Sequence, residues 1–312
     1  MEENKIRDLA IIGAGPSGLS ASVYASRYGI KHVIIGLLPG GLISESHKVD
    51  NYLGVESLSG FDLSQKMLNH AKKYSPEIIT NEVEDIKRTG DKRFFEIKLP
   101  GAEIVLARAI ILATGTKPRQ LNIPGEKELA GKGISYCATC DGFFYKNKIV
   151  AVVGGGNSAV GAAVHLAQIA SKVFLIYRKA ELPAEGYWKK QLSENKKIET
   201  IYNANVVAVS GKEKVEKIKL DTKINNQDEL SVDGLFVEVG SDPNWEFAKN
   251  LELAADEGGY VKIGADGATS AAGVWAAGDI TTGSNKLRQA ITAAAEGAIA
   301  AHSAFEYLNK KK

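Results

Sequence analysis

The chain has 312 residues, 44% hydrophobic and 24% charged, so it can bury a full core and form about two domains. Its 39 basic and 37 acidic residues leave a formal net charge of +2, which gives no reason to expect nucleic acid or an anionic membrane as partner. No apolar run approaches the about 18 residues of a membrane span. The N-terminus starts with acids rather than a signal sequence, and we expect a cytoplasmic protein.

A glycine-rich turn near the N-terminus lies between a strand and a helix. The run Leu9–Ile12 predicts a strand, Gly13–Gly18 reads Gly-Ala-Gly-Pro-Ser-Gly, and Leu19–Tyr28 predicts a helix before a second strand at Val33–Ile35. This order is the one that a dinucleotide fingerprint requires. Its glycines let the backbone approach a pyrophosphate, and the helix start offers N–H donors.

The next segments predict strands and a chain crossing. Phe94–Leu99 and Glu103–Leu106 alternate like a hairpin that turns at Pro100-Gly101. Ala109–Ala113 predicts a separate buried strand, and Thr116–Pro118 predicts a crossing between domains.

The strand–turn–helix–strand order then recurs. Lys148–Val153 predicts a strand, Gly154–Ala159 reads Gly-Gly-Gly-Asn-Ser-Ala, a helix runs to about Ala170, and Lys172–Tyr177 predicts the next strand. Ala159 takes the place of the third glycine, which is a permitted variant. The chain is therefore interpreted as a duplicated nucleotide-binding fold.

The residues after Tyr177 are expected to complete the second domain and then return to the first. Asn205–Val209 and Lys217–Lys223 predict a hairpin, and Leu235–Val239 predicts a strand that runs into a second crossing at 240–244. Strands are expected at Tyr260–Ile263 and Gly273–Ala277. The last helix is expected to present one apolar face, formed by Leu287, Ile291, Ala294, Ala298, Ala301, Phe305 and Leu308.

These elements predict an α/β fold with two Rossmann-like, three-layer nucleotide-binding domains, one inserted in the other. The expected bounds are 1–117 with 244–312 for a discontinuous outer domain, and 118–243 for the second dinucleotide-binding domain, which is inserted in it.

The chain's two cysteines lie together as Cys137-Ala138-Thr139-Cys140, followed by Asp141. One thiol of such a pair can attack a disulfide while the other resolves the mixed disulfide. Asp141 can move a proton as thiolates form, although a turn cap is the alternative interpretation. A structural zinc site would need four ligands, and no second cysteine pair exists.

Six motifs in this order, across nearly the whole chain, resemble the low-molecular-weight thioredoxin reductases. They are Gly13–Gly18, Asp50–Gly54, Ala113–Gly115, Cys137–Gly142, Gly154–Ala159 and Gly278-Asp279. The specific feature is the cysteine motif inside the second nucleotide domain.

The resemblance implies that FAD binds the outer domain. Asp279 would bind its ribityl or phosphate portion, Asn51 would lie near the isoalloxazine, and Gln289 with Ala290 would cap the pyrimidine edge. The implied FAD contacts are Gly13, Gly15, Pro16, Ser17, Gly18, Gly40, Gly41, Leu42, Asn51, Ala113, Thr114, Gly115, Gly278, Asp279, Arg288, Gln289 and Ala290.

The resemblance also assigns the thiols and the partners. Cys140 would face the flavin, and Cys137 would attack thioredoxin or a similar small dithiol protein. A homodimer and a large domain rotation are implied, with Pro118 and Pro243 at the hinge.

Three departures from the family concern cofactor contacts. The His-Arg-Arg-x-x-x-Arg run that grips the NADPH 2′-phosphate keeps only Arg178 and Lys179, with Pro183 in the last position, and Lys cannot reproduce the Arg fork. The two acids expected after Ala159 are missing, since the chain reads Val160-Gly161-Ala162-Ala163, and Leu42 replaces a glutamine. The implied NADP contacts are Gly154, Gly156, Asn157, Ser158, Ala159, Arg178 and Lys179.

Two questions stay open at this stage. The electron donor is either a nicotinamide coenzyme or a non-nicotinamide reductant such as ferredoxin or a deazaflavin. The choice stays open because Arg178 and Lys179, which would hold NADPH, are also typical of a solvated strand end. No acid ends the Lys172–Tyr177 strand, which argues against NADH preference. The alternative from another class is a flavoprotein redox sensor without turnover.

Overall fold

The structure is a computed structural model that describes residues 6–46, 48–224 and 226–310. The first five residues, which carry the acidic start used in the cytoplasmic expectation, lie outside this part. In chain order the strands are β1 (Ile6–Ile12), β2 (His32–Ile35), β3 (Glu77–Ile79), β4 (Asp85–Arg88), β5 (Phe95–Lys98), β6 (Ile104–Leu112), β7 (Thr116–Pro118), β8 (Ile134–Ser135), β9 (Ile149–Val153), β10 (Lys172–Tyr177), β11 (Ile198–Tyr202), β12 (Val206–Ser210), β13 (Lys217–Ile224), β14 (Gln227–Ser231), β15 (Gly234–Val237), β16 (Ser241–Pro243) and β17 (Val274–Ala276). The helices are α1 (Pro16–Arg27), α2 (Gly60–Lys72), α3 (Glu126–Leu129), α4 (Ala138–Asp141), α5 (Asn157–Ala167), α6 (Gly186–Ser193) and α7 (Ala290–Lys310).

The chain divides into two compact units, one formed by Met1–Lys117 with Asp242–Lys312 and the other by Pro118–Ser241. The first unit is built on a sheet in the order β3-β2-β1-β6-β5-β4, with β17 paired to the end of β6. Strands β1, β2, β3, β6 and β17 run parallel. Their carboxyl ends meet at one edge, where Gly13, Ala113 and Ala277 are joined to neighbouring strands by backbone hydrogen bonds of 2.7–2.9 Å. Ligands of open α/β sheets bind at this edge.

Strand β6 is continuous, so the prediction of two separate strands at Glu103–Leu106 and Ala109–Ala113 is wrong. Its first half pairs antiparallel with β5, and its second half pairs parallel with β17. The sequence pattern changes from alternating to wholly apolar because the later residues are covered on both faces. The predicted strand Tyr260–Ile263 is also absent from the described residues, since Val261 makes only isolated bridges to Ala255 and Thr281.

Helix α7 packs closely on α1 through small residues. A Cβ placed on Gly297 would lie 2.0 Å from the Ser17 carbonyl oxygen. The predicted apolar face is confirmed only at Ala301 and Leu308, which are buried; most of the other buried positions lie one residue before the predicted ones, and Leu287 precedes the helix and is exposed. Tight helix packing selects small side chains, which a pattern of bulky residues does not mark. The buried positions of α7 are Ala293, Gly297, Ala300, Ala301, Ala304 and Leu308.

The second unit has three layers around a parallel sheet in the order β11-β10-β9-β15-β8. On one face, Val150 and Val152 pack with buried residues of α5. On the other face, Ala151 and Val153 pack with Ile218 of the antiparallel sheet β12-β13-β14. The predicted hairpin is confirmed as β12 and β13, and β14 extends it.

The two chain crossings, β7 and β16, form a two-stranded sheet. On the side of the first unit, Thr114 Oγ1 donates to the Asn244 carbonyl at 2.5 Å, and the Asn244 N–H donates to the Gly115 carbonyl at 3.0 Å. Within the described ranges, none of the helices has the length and apolar character needed to cross a membrane.

Candidate redox site and nucleotide-binding folds

Cys137 and Cys140 form a disulfide whose Cα atoms lie 5.4 Å apart. Cys137 immediately precedes α4, and its Sγ accepts the backbone N–H of Cys140 at 3.1 Å. Cys137 is half-buried, whereas Cys140 is exposed. An N–H directed at a sulfur favours the thiolate over the thiol. After reduction, this contact favours Cys137 as the ionised thiol.

The backbone of Cys137 is held by its neighbours in β8 and α4. Ser135 Oγ accepts the Cys137 N–H at 3.1 Å and donates to the Cys137 carbonyl at 3.2 Å. Ala138 is buried in the same core as Leu166 of α5. A Cβ on Gly142 would lie 3.1 Å from Leu166 Cδ2, so Gly142 packs closely against α5. The disulfide therefore stands on a packed helix rather than a free loop.

Asp141 is the last residue of α4 and is half-buried. Its N–H donates to the Cys137 carbonyl at 3.2 Å, which closes the turn that carries both sulfurs. Burial, followed by the charges of Asp141 and Asp233, raises the pKa of Tyr145. The Asp141 carboxylate thus lies within the redox turn, where a proton carrier is needed.

Two aromatic side chains directly after the redox turn are unusually exposed. Phe143 and Phe144 are 76% and 71% exposed, although large apolar side chains of folded chains are usually buried. Sequence reasoning missed them. The signal that could have found them is a pair of consecutive aromatic residues following a Cys-x-x-Cys-Asp-Gly motif.

The first fingerprint is built so that only glycine fits its key positions. Gly13 has a φ of +115°, and a Cβ there would lie 2.1 Å from the Ala113 carbonyl oxygen. A Cβ on Gly18 would lie 1.9 Å from the Gly13 carbonyl oxygen. Helix α1 begins at Pro16, and no side chain among the described residues caps its start at Gly15. Its first N–H groups therefore point toward a site for an anion.

Two loops bring the other predicted FAD contacts of this unit to the fingerprint. A Cβ on Gly41 would lie 2.6 Å from Gly15 Cα, so the Gly40–Leu42 loop touches the phosphate turn. Asn51 Nδ2 donates to Gln289 Oε1 at 3.0 Å, which joins two predicted contacts that are far apart in sequence. Ala290, the last of this set, is the first residue of α7.

Gly278 and Asp279 follow β17 and reach the same edge. Ser17 is buried, and its Oγ would lie 2.8 Å from a Cβ on Gly278. Burial raises the pKa of Asp279; the nearby Arg288 charge opposes this shift and Glu296 adds to it. The Arg288 guanidinium lies 3.8 Å from the Tyr260 ring centroid, and its buried Nε has no hydrogen-bond partner in the described part of the chain.

Glu296 of α7 holds this turn in place, and sequence reasoning missed it. Its carboxylate accepts the Gly278 N–H at 2.8 Å, Thr281 Oγ1 at 3.0 Å and Ser284 Oγ at 2.6 Å. A glutamate on a helix carries no sequence signal for such a role, because its partners come from the preceding loop.

The second fingerprint repeats the glycine geometry in the other unit. Gly154 has a φ of +142°, and a Cβ there would lie 2.1 Å from the Glu238 carbonyl oxygen. Gly156 has open space where a Cβ would stand, and no described side chain caps α5 there. Next along the chain, Ser158 is exposed and Ala159 is buried. The turn can therefore receive a pyrophosphate.

The basic pair, Arg178 and Lys179, follows Tyr177, whose ring lies against Gly155 of this turn. Asn157 exchanges two hydrogen bonds of 2.8 Å with Glu185, which fastens the segment after β10 to the start of α5. Arg178 and Lys179 are exposed. A Cβ on Gly161 would lie 3.3 Å from Trp188 Cη2, so the indole covers the helix face where acids are expected in the family.

Comparisons with known proteins agree with this geometry. A family model described as pyridine nucleotide-disulphide oxidoreductase matches residues 7–297. The thioredoxin reductase of Bacillus subtilis (strain 168) is 39% identical over 99% of this chain and 97% of its own. The crystal structure of Lactococcus lactis thioredoxin reductase has a TM-score of 0.91 at 31% identity, covering 97% of this chain and 99% of that one.

The chain belongs to the low-molecular-weight thioredoxin reductase family. The reductase is an FAD-dependent disulfide oxidoreductase, and its α/β fold contains two Rossmann-like nucleotide-binding domains. A ferredoxin-flavin thioredoxin reductase from Clostridium acetobutylicum is also similar, at 31% identity and a TM-score of 0.53, covering 98% of this chain and 99% of that one.

The first unit of the reductase fits FAD. Gly13, Gly15 and Gly18 leave room for a pyrophosphate at the start of α1, and the buried Arg288 Nε offers a donor that is unmatched among the described residues. The glycine turn of the second unit fits a dinucleotide pyrophosphate, and the basic side chains Arg178 and Lys179 that follow β10 are exposed.

Replacing Glu296 by Gln in the reductase is expected to weaken FAD binding about tenfold, because one acceptor for the Gly278 loop is lost at a cost of about 1.4 kcal/mol. The dissociation constant can be measured from the fluorescence of FAD released on dilution. Glu306→Gln, an exposed position of the same helix, is the matched control. Equal FAD affinity in both variants would show that Glu296 does not contribute to FAD binding.

Proposed function

We propose that the reductase passes electrons from FAD to thioredoxin through the Cys137–Cys140 disulfide. One observation carries this proposal: the chain's two cysteines are joined in a turn that presents Cys140 to solvent beside Asp141. FAD, when bound, supplies the electron pair that reduces this disulfide. The two cysteines exchange disulfides with the partner, the Asp141 carboxylate moves protons, and the surrounding surface binds the partner.

Reduction of the disulfide takes up two electrons and two protons and leaves two thiols. The Cys137 thiolate attacks one sulfur of oxidised thioredoxin, so a mixed disulfide forms and the second thioredoxin sulfur leaves as a thiolate. The Cys140 thiolate then attacks Cys137 Sγ, which releases the first thioredoxin sulfur and closes the enzyme disulfide again. Asp141 accepts the proton that each enzyme thiol loses as it becomes a thiolate, and passes it to the thioredoxin thiolate that leaves.

The exposed Phe143 and Phe144 are proposed to dock the partner. Aromatic side chains dominate binding energy in protein interfaces, and these two lie directly after the redox turn. A thioredoxin, or a similar small dithiol protein with an apolar rim around its disulfide, fits such a surface.

The double replacement Phe143→Ala and Phe144→Ala is expected to raise the KM for thioredoxin about tenfold, since each truncated aromatic anchor removes interface energy. The reduction rate of a small aromatic disulfide should stay within twofold. Val207→Ala, an exposed apolar position of the same unit, controls for general surface effects. An unchanged KM for thioredoxin would contradict the docking proposal.

For the electron donor, we infer that the second unit binds NADPH with little preference over NADH. The glycine turn supports binding of either pyrophosphate, whereas the 2′-phosphate meets only two exposed basic side chains, with Pro183 in place of the third. A non-nicotinamide donor such as ferredoxin is the second candidate, favoured by this reduced cluster and by the similarity to the ferredoxin-flavin enzyme.

An anaerobic titration of the flavin absorption band distinguishes the two donors. Bleaching by NADPH and NADH at similar concentrations supports the nicotinamide proposal. No bleaching by either, with bleaching by reduced ferredoxin and onward reduction of thioredoxin, supports the second candidate. Strong selectivity for NADPH at micromolar concentration contradicts both.

Two further parts of the account are proposals. A homodimer is proposed because the resemblance described in the sequence analysis implies it, and light scattering of the purified protein tests it. A cytoplasmic location is supported by the use of both cysteines in one redox motif, which is typical of a reducing compartment.

A further inference from the structure

A buried carboxylate lies behind the redox turn of the second unit. Glu126, the first residue of α3, is only 1% exposed. Its Oε1 accepts the Leu121 N–H at 2.8 Å and the Tyr136 hydroxyl at 2.8 Å, and its Oε2 accepts the Asn122 N–H at 2.5 Å. A buried carboxyl group needs hydrogen bonds in place of water, and three donors provide them here.

These three hydrogen bonds join the segment that follows β7 to the segment that precedes the redox disulfide. Leu121 and Asn122 follow the chain crossing at β7, and Asn122 adopts a left-handed φ of +57°. Tyr136 lies between Ser135, the last residue of β8, and Cys137. Glu126 therefore fastens the first segment of the second unit to the residue directly before a redox cysteine.

Hydrogen bonds on both sides of Cys137 restrict the conformation of its backbone. On one side Ser135 Oγ bonds both its N–H and its carbonyl, and β8 is fixed in register to β15. On the other side the Tyr136 ring is tied to Glu126. Burial, then the hydrogen bond and charge of Glu126, raise the pKa of the Tyr136 hydroxyl, so this hydroxyl stays a donor.

We propose that Glu126, acting through Tyr136, is a positioning residue that holds Cys137 where its sulfur meets Cys140. Two thiols that are held near their bonding geometry close a disulfide at high effective concentration. The anchor thus favours the disulfide over the dithiol and sets how readily the enzyme gives up electrons. This inference rests on the proposed function of the cysteine pair.

Tyr136→Phe tests the proposal because it removes one hydroxyl and leaves the ring. The wild-type and variant holoenzymes are equilibrated with oxidised and reduced dithiothreitol, quenched by alkylation and counted by mass. With only two cysteines in the chain, the added mass reports this pair alone. The equilibrium constant for disulfide formation should fall about threefold to tenfold, which corresponds to about 14 to 30 mV.

Glu126→Gln should shift the same equilibrium in the same direction, and Tyr202→Phe, an exposed tyrosine of this unit, should not. If Glu126→Gln does not fold, the Tyr136→Phe result decides alone. An equilibrium constant for Tyr136→Phe within twofold of wild type would overturn the proposal and leave the anchor a purely structural feature. The measurement uses neither thioredoxin nor a donor, so its outcome is separate from that of the proposed function.

Discussion

Replacing Cys140 by Ser is expected to lower thioredoxin reduction by at least about a thousandfold, because the electron pair then has no disulfide to enter. FAD should remain bound, since the FAD contacts proposed above all belong to the first unit, which does not contain Cys140. The measurement is steady-state reduction of thioredoxin with a saturating donor, together with the FAD content of the purified variant.

The paired variants also assign the attacking thiol. In Cys140→Ser the remaining Cys137 thiolate should form a stable mixed disulfide with a thioredoxin whose second active-site cysteine is replaced by serine, because neither protein then has a thiol that resolves it. Cys137→Ser should be equally inactive but should trap the same thioredoxin variant slowly, although Cys140 is the more exposed residue. Faster trapping by Cys137→Ser would reverse the assignment, and turnover by either variant would contradict the cysteine route.

Restoring the missing arginines after Arg178 is expected to produce the largest gain in coenzyme affinity. In the variant Lys179→Arg with Pro183→Arg, NADP⁺ should bind at least about tenfold more tightly, since one charge-assisted hydrogen bond to a phosphate contributes about 1.5 kcal/mol or more. NAD⁺ binding should stay within twofold because it lacks the 2′-phosphate. Calorimetric titration of both coenzymes measures this without any turnover.

Lys196→Arg, an exposed position of the same unit, is the matched control for added arginine. An equal gain for both coenzymes would mean that the new arginines hold the pyrophosphate instead. No gain for either would mean that the segment after β10 does not reach the phosphate, and the proposal that Arg178 and Lys179 form a weakened clamp would fail.

The features that sequence could predict are those specified by local chemistry. Gly13 and Gly154 adopt a positive φ and lie too close to a neighbouring carbonyl for a Cβ to fit, so the glycines of each fingerprint predict the turn directly. The cysteine spacing likewise fixes a short ring, and the disulfide forms between the two expected residues. Family membership, the α/β fold and the enzyme class followed from these motifs and are confirmed.

The features that sequence could not predict depend on partners brought together by the fold. Glu126 and Glu296 are ordinary acids in the sequence, yet each binds three donors from other segments. Most of the buried face of α7 lies one residue away from the predicted face, because the helix packs on α1 at Gly297, which adds no apolar signal. Phe143 and Phe144 are exposed, whereas their composition alone favours the core.

The most direct test of the central claim follows electrons through the cysteine pair in one turnover. The holoenzyme is reduced anaerobically with one equivalent of an electron-pair donor, mixed with oxidised thioredoxin, and alkylated at successive times for mass analysis. We predict that two labels appear first on Cys137 and Cys140, then disappear as two appear on thioredoxin. Reduced thioredoxin without prior labelling of Cys137 and Cys140 would contradict the account.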